Sequence, residues 1–177
     1  MYQIHTAINL SFGRLSALFL LCLNLKKRGY TLLMRKVSQP HKGNSGTPIL
    51  VVGSSAKSGL SMLDGYEFSA TACPYPGGAL EMLSQGRHQV VLCDLEMPGM
   101  SGMVLVNSVR AGFPDVAVVV VTPPGKLRHG VLAMIAGASG YVQKPLQPET
   151  VVASLRRALK RKQFESAMRG YPLKMVY

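Results

Sequence analysis

The chain has 177 residues, 47% of them apolar and 7% aromatic, and a formal charge of +12, so one packed domain with extensions is expected. The charge is unevenly placed: residues 1–47 carry a net +7, residues 48–160 a net +2 and residues 161–177 a net +3. The part able to fold is nearly neutral and no recognition motif accompanies the basic ends, which argues against a specific nucleic-acid partner and leaves only non-specific attraction to anionic surfaces.

Residues 1–47 read as a basic, partly apolar leader and linker. Leu15-Ser-Ala-Leu-Phe-Leu-Leu-Cys-Leu23 is followed by Lys26-Lys27-Arg28, so membrane association through residues 7–28 is a reading the leader leaves open. Asn9 and Arg14 interrupt the roughly 20 apolar residues that a span needs, and the expected location is cytoplasmic. Met34 offers a later start, and residues 37–47 form a polar linker containing Gly and Pro. Cys22, Cys73 and Cys93 are odd in number and lack metal-ligand spacing, as expected of small buried thiols in a reducing compartment.

The folding part spans residues 48–162. Pro48 to Gly53 is an apolar run stopped by glycine, the pattern of a central parallel strand. Residues 56–63 can form a short helix, Tyr66 to Ala72 a second strand, and Pro74-Tyr75-Pro76-Gly77 a turn. Ala79, Leu80, Met82 and Leu83 then give a helical face. Gln89 to Cys93 is the third strand, and Met103 to Ala111 a helix stopped by Gly112 and Pro114. Val116 to Val121 is almost purely β-branched, a fourth buried strand. Leu127 to Ala136 is helical, Tyr141 to Gln143 is a short fifth strand, and Pro148 to Lys162 is the last helix, with residues 163–177 left as a short basic tail. Alternating strands and helices imply an α/β fold with one doubly wound parallel sheet covered on both faces.

The third strand ends in a lone carboxylate, Asp94, followed by Leu95-Glu96-Met97-Pro98-Gly99-Met100-Ser101-Gly102, and the fifth runs into Gly140-Tyr141-Val142-Gln143-Lys144-Pro145. Both charges are thereby delivered to the carboxyl edge of the sheet, where open α/β folds bind their ligands. A carboxylate facing an ammonium there can accept and neutralise a phosphoryl group.

Over residues 48–160 this arrangement resembles the receiver domain of bacterial response regulators, in the manner of the chemotaxis regulator. The resemblance implies a flavodoxin-like strand order, 2-1-3-4-5. It makes Asp94 the phosphoacceptor, Thr122 the hydroxyl that contacts the phosphoryl group, Lys144 the neutralising lysine before a cis bond to Pro145, and Tyr141 the aromatic switch. It also implies Mg2+ held by an acidic pair after the first strand. Here those positions are Gly53 and Ser54, so the remaining ligands are Asp94 and the backbone carbonyl of Glu96, with the Glu96 carboxylate as a further candidate. Lys144 can then pair with Asp94 directly and lock the site without metal.

Two further departures are a first helix short by a turn or more, expected to leave one sheet face thinly covered, and Pro123-Pro124, which stiffens a loop that normally rearranges. Together these predict a degenerate receiver in which metal-dependent phosphotransfer to Asp94 is weak or absent.

The function expected is a non-enzymatic phosphorelay protein without an output domain. It docks a histidine kinase, a phosphotransfer protein or a downstream effector, with or without phosphorylation. One alternative is the receiver fragment of a hybrid sensor kinase. Another, disfavoured by the missing acids, is a small hydrolase with Asp94 as nucleophile and Glu96 as acid/base. A third is a basic nucleic-acid binder acting through the tails.

Overall fold

A computed structural model of the chain describes residues 46–53, 56–97 and 101–169. The leader, most of the linker, Ser54, the Pro98-Gly99-Met100 stretch and residues 170–177 lie outside the described residues, and with them the expectations placed on residues 7–28. Among the described residues, no helix is long and apolar enough to cross a membrane.

Among the described residues five strands alternate with five helices: β1 (Thr47–Val52), α1 (Ala56–Leu63), β2 (Phe68–Cys73), α2 (Pro76–Ser84), β3 (Val90–Asp94), α3 (Gly102–Gly112), β4 (Ala117–Thr122), α4 (Leu127–Ala136), β5 (Gly140–Gln143) and α5 (Pro148–Arg169). The strands form one parallel sheet in the order β2-β1-β3-β4-β5. This is the doubly wound order expected. The switch point lies between β1 and β3, where a crevice opens at the carboxyl edge.

The central strands bury both faces. Every residue of β3 and of β4 is buried, which is why these segments read as unbroken apolar runs instead of alternating ones. Ile49, Val51, Leu92, Val119 and Val142 pack with Leu63 of α1 and with Val151, Val152 and Leu155 of α5. Leu50, Val52, Val91, Val118 and Val120 pack on the other side with Leu83 of α2, Leu105, Val106 and Val109 of α3, and Ala133 of α4.

Three expectations need correction. The face under the short α1 is not thinly covered: Val51, Ala70 and Ala72 are all buried there. Gly59 explains this, because a Cβ at that position would stand 2.9 Å from Val51 Cγ1, so the helix lies close against β1. Pro76 and Gly77 open α2 instead of forming a turn, with proline in the first helical turn, where its missing N–H costs nothing. The last helix continues seven residues past Lys162. Its extra turns are held by Arg161 and Lys162 on Glu165, by Arg169 on Asp115, and by Ser166, which donates to Asp115 Oδ1 at 2.7 Å. Those partners sit partly in the α3–β4 connection, so the polar sequence from 163 onward shows no helical stripe of its own.

Cys73 and Cys93 face the same β1 residue, Val52, from its two neighbouring strands. Two strand spacings separate them, roughly 9.5 Å, which is beyond disulfide reach. Burial pushes both thiols up, Cys93 to about 12 with the Asp94 charge adding to the effect. These are inert core side chains.

Candidate functional site at the carboxyl edge of the sheet

Asp94 is the last residue of β3 and only 3% exposed. A carboxylate so placed needs both hydrogen bonds and a counter-charge. Its Oδ1 accepts the Glu96 N–H at 3.1 Å, and its Oδ2 meets Lys144 Nζ at 2.5 Å. The backbone fixes both ends of this pair. The Leu95 N–H donates to Val121 O at 3.0 Å, which continues the ladder one step past Asp94. The Lys144 N–H donates to Thr122 O at 2.9 Å, which ties the lysine to the end of β4, and the Lys144–Pro145 bond is cis. Lys144 is one-third exposed, so its ammonium bridges the buried carboxylate and solvent.

The start of α3 lies close against the end of β3. The Gly102 N–H donates to Leu95 O at 3.1 Å, and a Cβ on Gly102 would stand 2.5 Å from the Asp94 carbonyl oxygen. Glycine is therefore required where α3 begins. Ser101 caps the helix by accepting the Met103 N–H at 3.3 Å.

Thr122 ends β4 fully buried, and its hydroxyl donates to Val142 O at 3.3 Å. Tyr141 lies in β5, 38% exposed. Its ring rests on α4 at Gly130, where a Cβ would stand 3.0 Å from Tyr141 Cδ2 and 3.5 Å from Thr122 Cγ2. Asp94 and Lys144 are thus in direct contact. Thr122 and Tyr141 are joined through α4 and β5 rather than through the carboxylate.

Glu96 turns elsewhere. Its carboxylate, offered above as a metal ligand, is held by Lys126, and both side chains are about half exposed. The Lys126 hydrogen bond holds the Glu96 carboxyl below its usual value, with the charges of Lys126, His129 and Lys144 acting in the same sense. Gln143 Nε2 donates to Pro123 O at 3.4 Å across the stiff Pro123-Pro124 segment.

The residues present do not fit Mg2+, which demands near-octahedral oxygen coordination. Gly53 has a φ of +126°, in the region that favours glycine. A Cβ there would meet Asp94 Cβ at 3.0 Å and the Met97 thioether sulfur at 3.3 Å. Among the described residues, no group of three or more His, Cys, Asp or Glu comes together that could hold a metal ion.

Several of these partners were not singled out from sequence: Met97 beside Gly53, Lys126 on Glu96, Gly102 against Asp94 and Gly130 under Tyr141. Only Gly130 left a usable signal, a lone glycine inside a helical pattern.

The comparisons with known proteins agree with this geometry. Curated relatives include the two-component response regulator PhoP of Pseudomonas aeruginosa, 34% identical over 90 residues that cover 51% of this chain and 40% of that protein. The transcriptional regulatory protein BaeR of Escherichia coli is 30% identical over 122 residues, 67% of this chain and 50% of that protein. The chain spans half or less of the length of these relatives. Among solved structures, a response regulator receiver domain protein from Clostridium thermocellum superposes with a TM-score of 0.60 at 24% identity, covering 67% of this chain and 98% of that one. A response regulator from Chloroflexus aurantiacus gives 0.61 at 22% identity, covering 66% and 100%. These two likenesses speak to fold. A family model described as the response regulator receiver domain matches residues 53–156, well over half the chain. With the strand order, the Asp94 edge and this match in agreement, the chain belongs to the response regulator receiver domain family of two-component signalling.

Proposed function

We propose that this receiver signals by docking a partner protein at the Asp94 edge and the adjoining α4–β5 face, in a shape that does not wait for phosphotransfer. The partner is a histidine kinase, a phosphotransfer protein or a downstream effector protein. The direct pair between Asp94 and Lys144 carries this reading, because the acceptor carboxylate already has the counter-charge that a transferred phosphoryl group would otherwise compete for. In the alternative, phosphorylated course, Asp94 is the nucleophile, Lys144 neutralises the phosphoryl charge, and Thr122 and Tyr141 rearrange in turn.

The face beside the site supports protein contact. Leu127, Val131 and Ile135 recur at i, i+4 and i+8 on α4 and are all exposed, and Tyr141 packs on the same helix at Gly130. Exposed apolar side chains repeating along one helix mark a docking surface more often than scattered ones do.

Treating the full chain with a small acyl phosphate donor and Mg2+, then measuring its intact mass, tests the reading. The expected result is little or no phosphoryl adduct. A stoichiometric adduct that disappears in Asp94→Ala overturns phosphorylation-independent docking in favour of the phosphorylated course.

The length of the relatives favours a second reading, in which this receiver acts as part of a longer signalling protein. A kinase-like reading frame directly upstream of the coding sequence would establish it as a hybrid-kinase receiver.

A further inference from the structure

We infer that Lys144 takes the place of a divalent cation as the permanent counter-charge of Asp94, and that Gly53 and Met97 close the side of the pocket from which metal ligands would have to come. The inference rests on the receiver reading above and concerns the chemistry of the same site.

Three observations converge on it. First, charge: Asp94 is 3% exposed, and Lys144 Nζ lies 2.5 Å from its Oδ2, while Oδ1 is taken by the Glu96 N–H. Both carboxylate oxygens are engaged by protein donors, and a buried carboxylate so paired has its counter-charge within the chain. Second, shape: Gly53 N–H donates to Cys73 O at 3.0 Å and Gly53 O accepts the Ala56 N–H at 3.0 Å, which pins the residue at its φ of +126°. Any side chain there must adopt a strained backbone and crowd Asp94 Cβ and the Met97 sulfur, which would have to give by a few tenths of an ångström. Third, ligand chemistry: Met97 is buried in the α2–α3–α4 core, and its thioether is the polarisable group facing Gly53. A thioether is a soft donor that suits Cu(I) and is a poor partner for a hard cation such as Mg2+.

Carboxylates from elsewhere do not make up the deficit. All eight Asp and Glu of the chain lie in described residues. Glu67, Glu96, Asp115 and Glu165 are each committed to a Lys or Arg partner, and neither these nor Asp64, Glu81 and Glu149 join Asp94 in a group of three or more possible metal ligands among the described residues.

The test compares thermal unfolding of the full chain in EDTA and in 10 mM Mg2+ (about the top of a useful range for a site of millimolar affinity), together with Mn2+ titration followed by electron paramagnetic resonance. The wild-type midpoint should be the same in both buffers, and the free Mn2+ signal should not fall. Saturable Mn2+ binding that Asp94→Asn abolishes would overturn the inference.

Lys144→Ala should lower the midpoint by roughly 10 °C or more, as expected when a buried charge loses its partner, and Mg2+ should recover none of it. Recovery by Mg2+, or no fall at all, also overturns the inference. Should Lys144→Ala fail to fold, the neutral pair Asp94→Asn with Lys144→Gln keeps the question open to measurement. It should fold with a midpoint well above that of Asp94→Ala with Lys144 retained, and a pair no better than that single variant counts against the lysine as counter-charge. Metal binding would leave partner docking at this edge standing, whereas loss of docking without metal binding would remove the docking reading and leave this one intact.

Discussion

At the carboxyl edge of the sheet, β3, β4 and β5 run into Asp94, Thr122 and Lys144, whereas β1 runs into Gly53. The first three positions carry polar side chains that the backbone ladder fixes within bonding reach of neighbouring strands. The Gly53 position carries no side chain and is packed against Asp94 and Met97. The β3–β5 half of the edge therefore gathers a carboxylate, a hydroxyl and an ammonium at its strand ends, and the β1 half brings only a glycine packed against Asp94 and Met97. The contrast teaches that a receiver edge is two separable constructions. Carboxylate, hydroxyl and lysine come from strand ends that the fold needs in any case. The position after β1 carries glycine in this chain and is filled by its packing against Asp94 and Met97.

Glycine-to-alanine substitutions on either side of Asp94 break this contrast most severely. Gly102→Ala places a Cβ against backbone atoms of Asp94 and Leu95 that cannot yield, so a loss of about 3 kcal/mol is expected. Gly53→Ala meets a side-chain carbon and a movable thioether but must adopt a positive φ, for a loss of about 1–2 kcal/mol. Urea unfolding of the two variants gives the order directly. A larger loss at Gly53 would mean that the β1 half is the more rigid.

Thr122→Val keeps the shape of a fully buried side chain and removes its hydrogen bond to Val142 O, so a loss of about 1 kcal/mol is expected. If the hydroxyl matters mainly for signalling, partner affinity should change more than the unfolding midpoint.

The smallest effect belongs to exposed pairs away from the buried carboxylate. The Arg156 hydrogen bond holds Glu67 at about 2 against an ordinary 4.5. A carboxyl lowered on folding contributes stability that is fully present above pH 4.5 and disappears as pH falls toward 2. Exposed pairs of this kind are worth little, so Glu67→Gln should flatten the acid limb of the melting profile slightly while leaving the midpoint at pH 7 almost unchanged. A marked fall at pH 7 would show that the pair between the start of β2 and α5 is structural.

The sheet was legible because its strands are buried on both sides. Val116 to Val121 offers a helix no polar face and no turn residue, and the run ending at Asp94 has the same character. Asp94 and Lys144 stood out for the same reason, as charges that interrupt apolar runs at their ends. The end of α5 was not legible, because its last turns depend on Asp115 and Pro114, which lie about fifty residues earlier. Gly59 reads as poor helix material by propensity, yet it is what lets α1 seat on Val51.

By itself, the sequence determined the order of elements, the parallel sheet and the residues that end each strand, because burial on two faces and glycine or proline at the stops are local patterns. It also determined that no acid follows β1. The sequence also offered the pairing of Lys144 with Asp94, and only the tertiary structure decided where the other groups point: Thr122 onto Val142, Tyr141 onto Gly130, Glu96 onto Lys126 and Met97 onto Gly53. These contacts join residues far apart in the chain, Glu96 and Lys126 by 30 positions, and their geometry follows from strand register and helix seating, which no local pattern encodes.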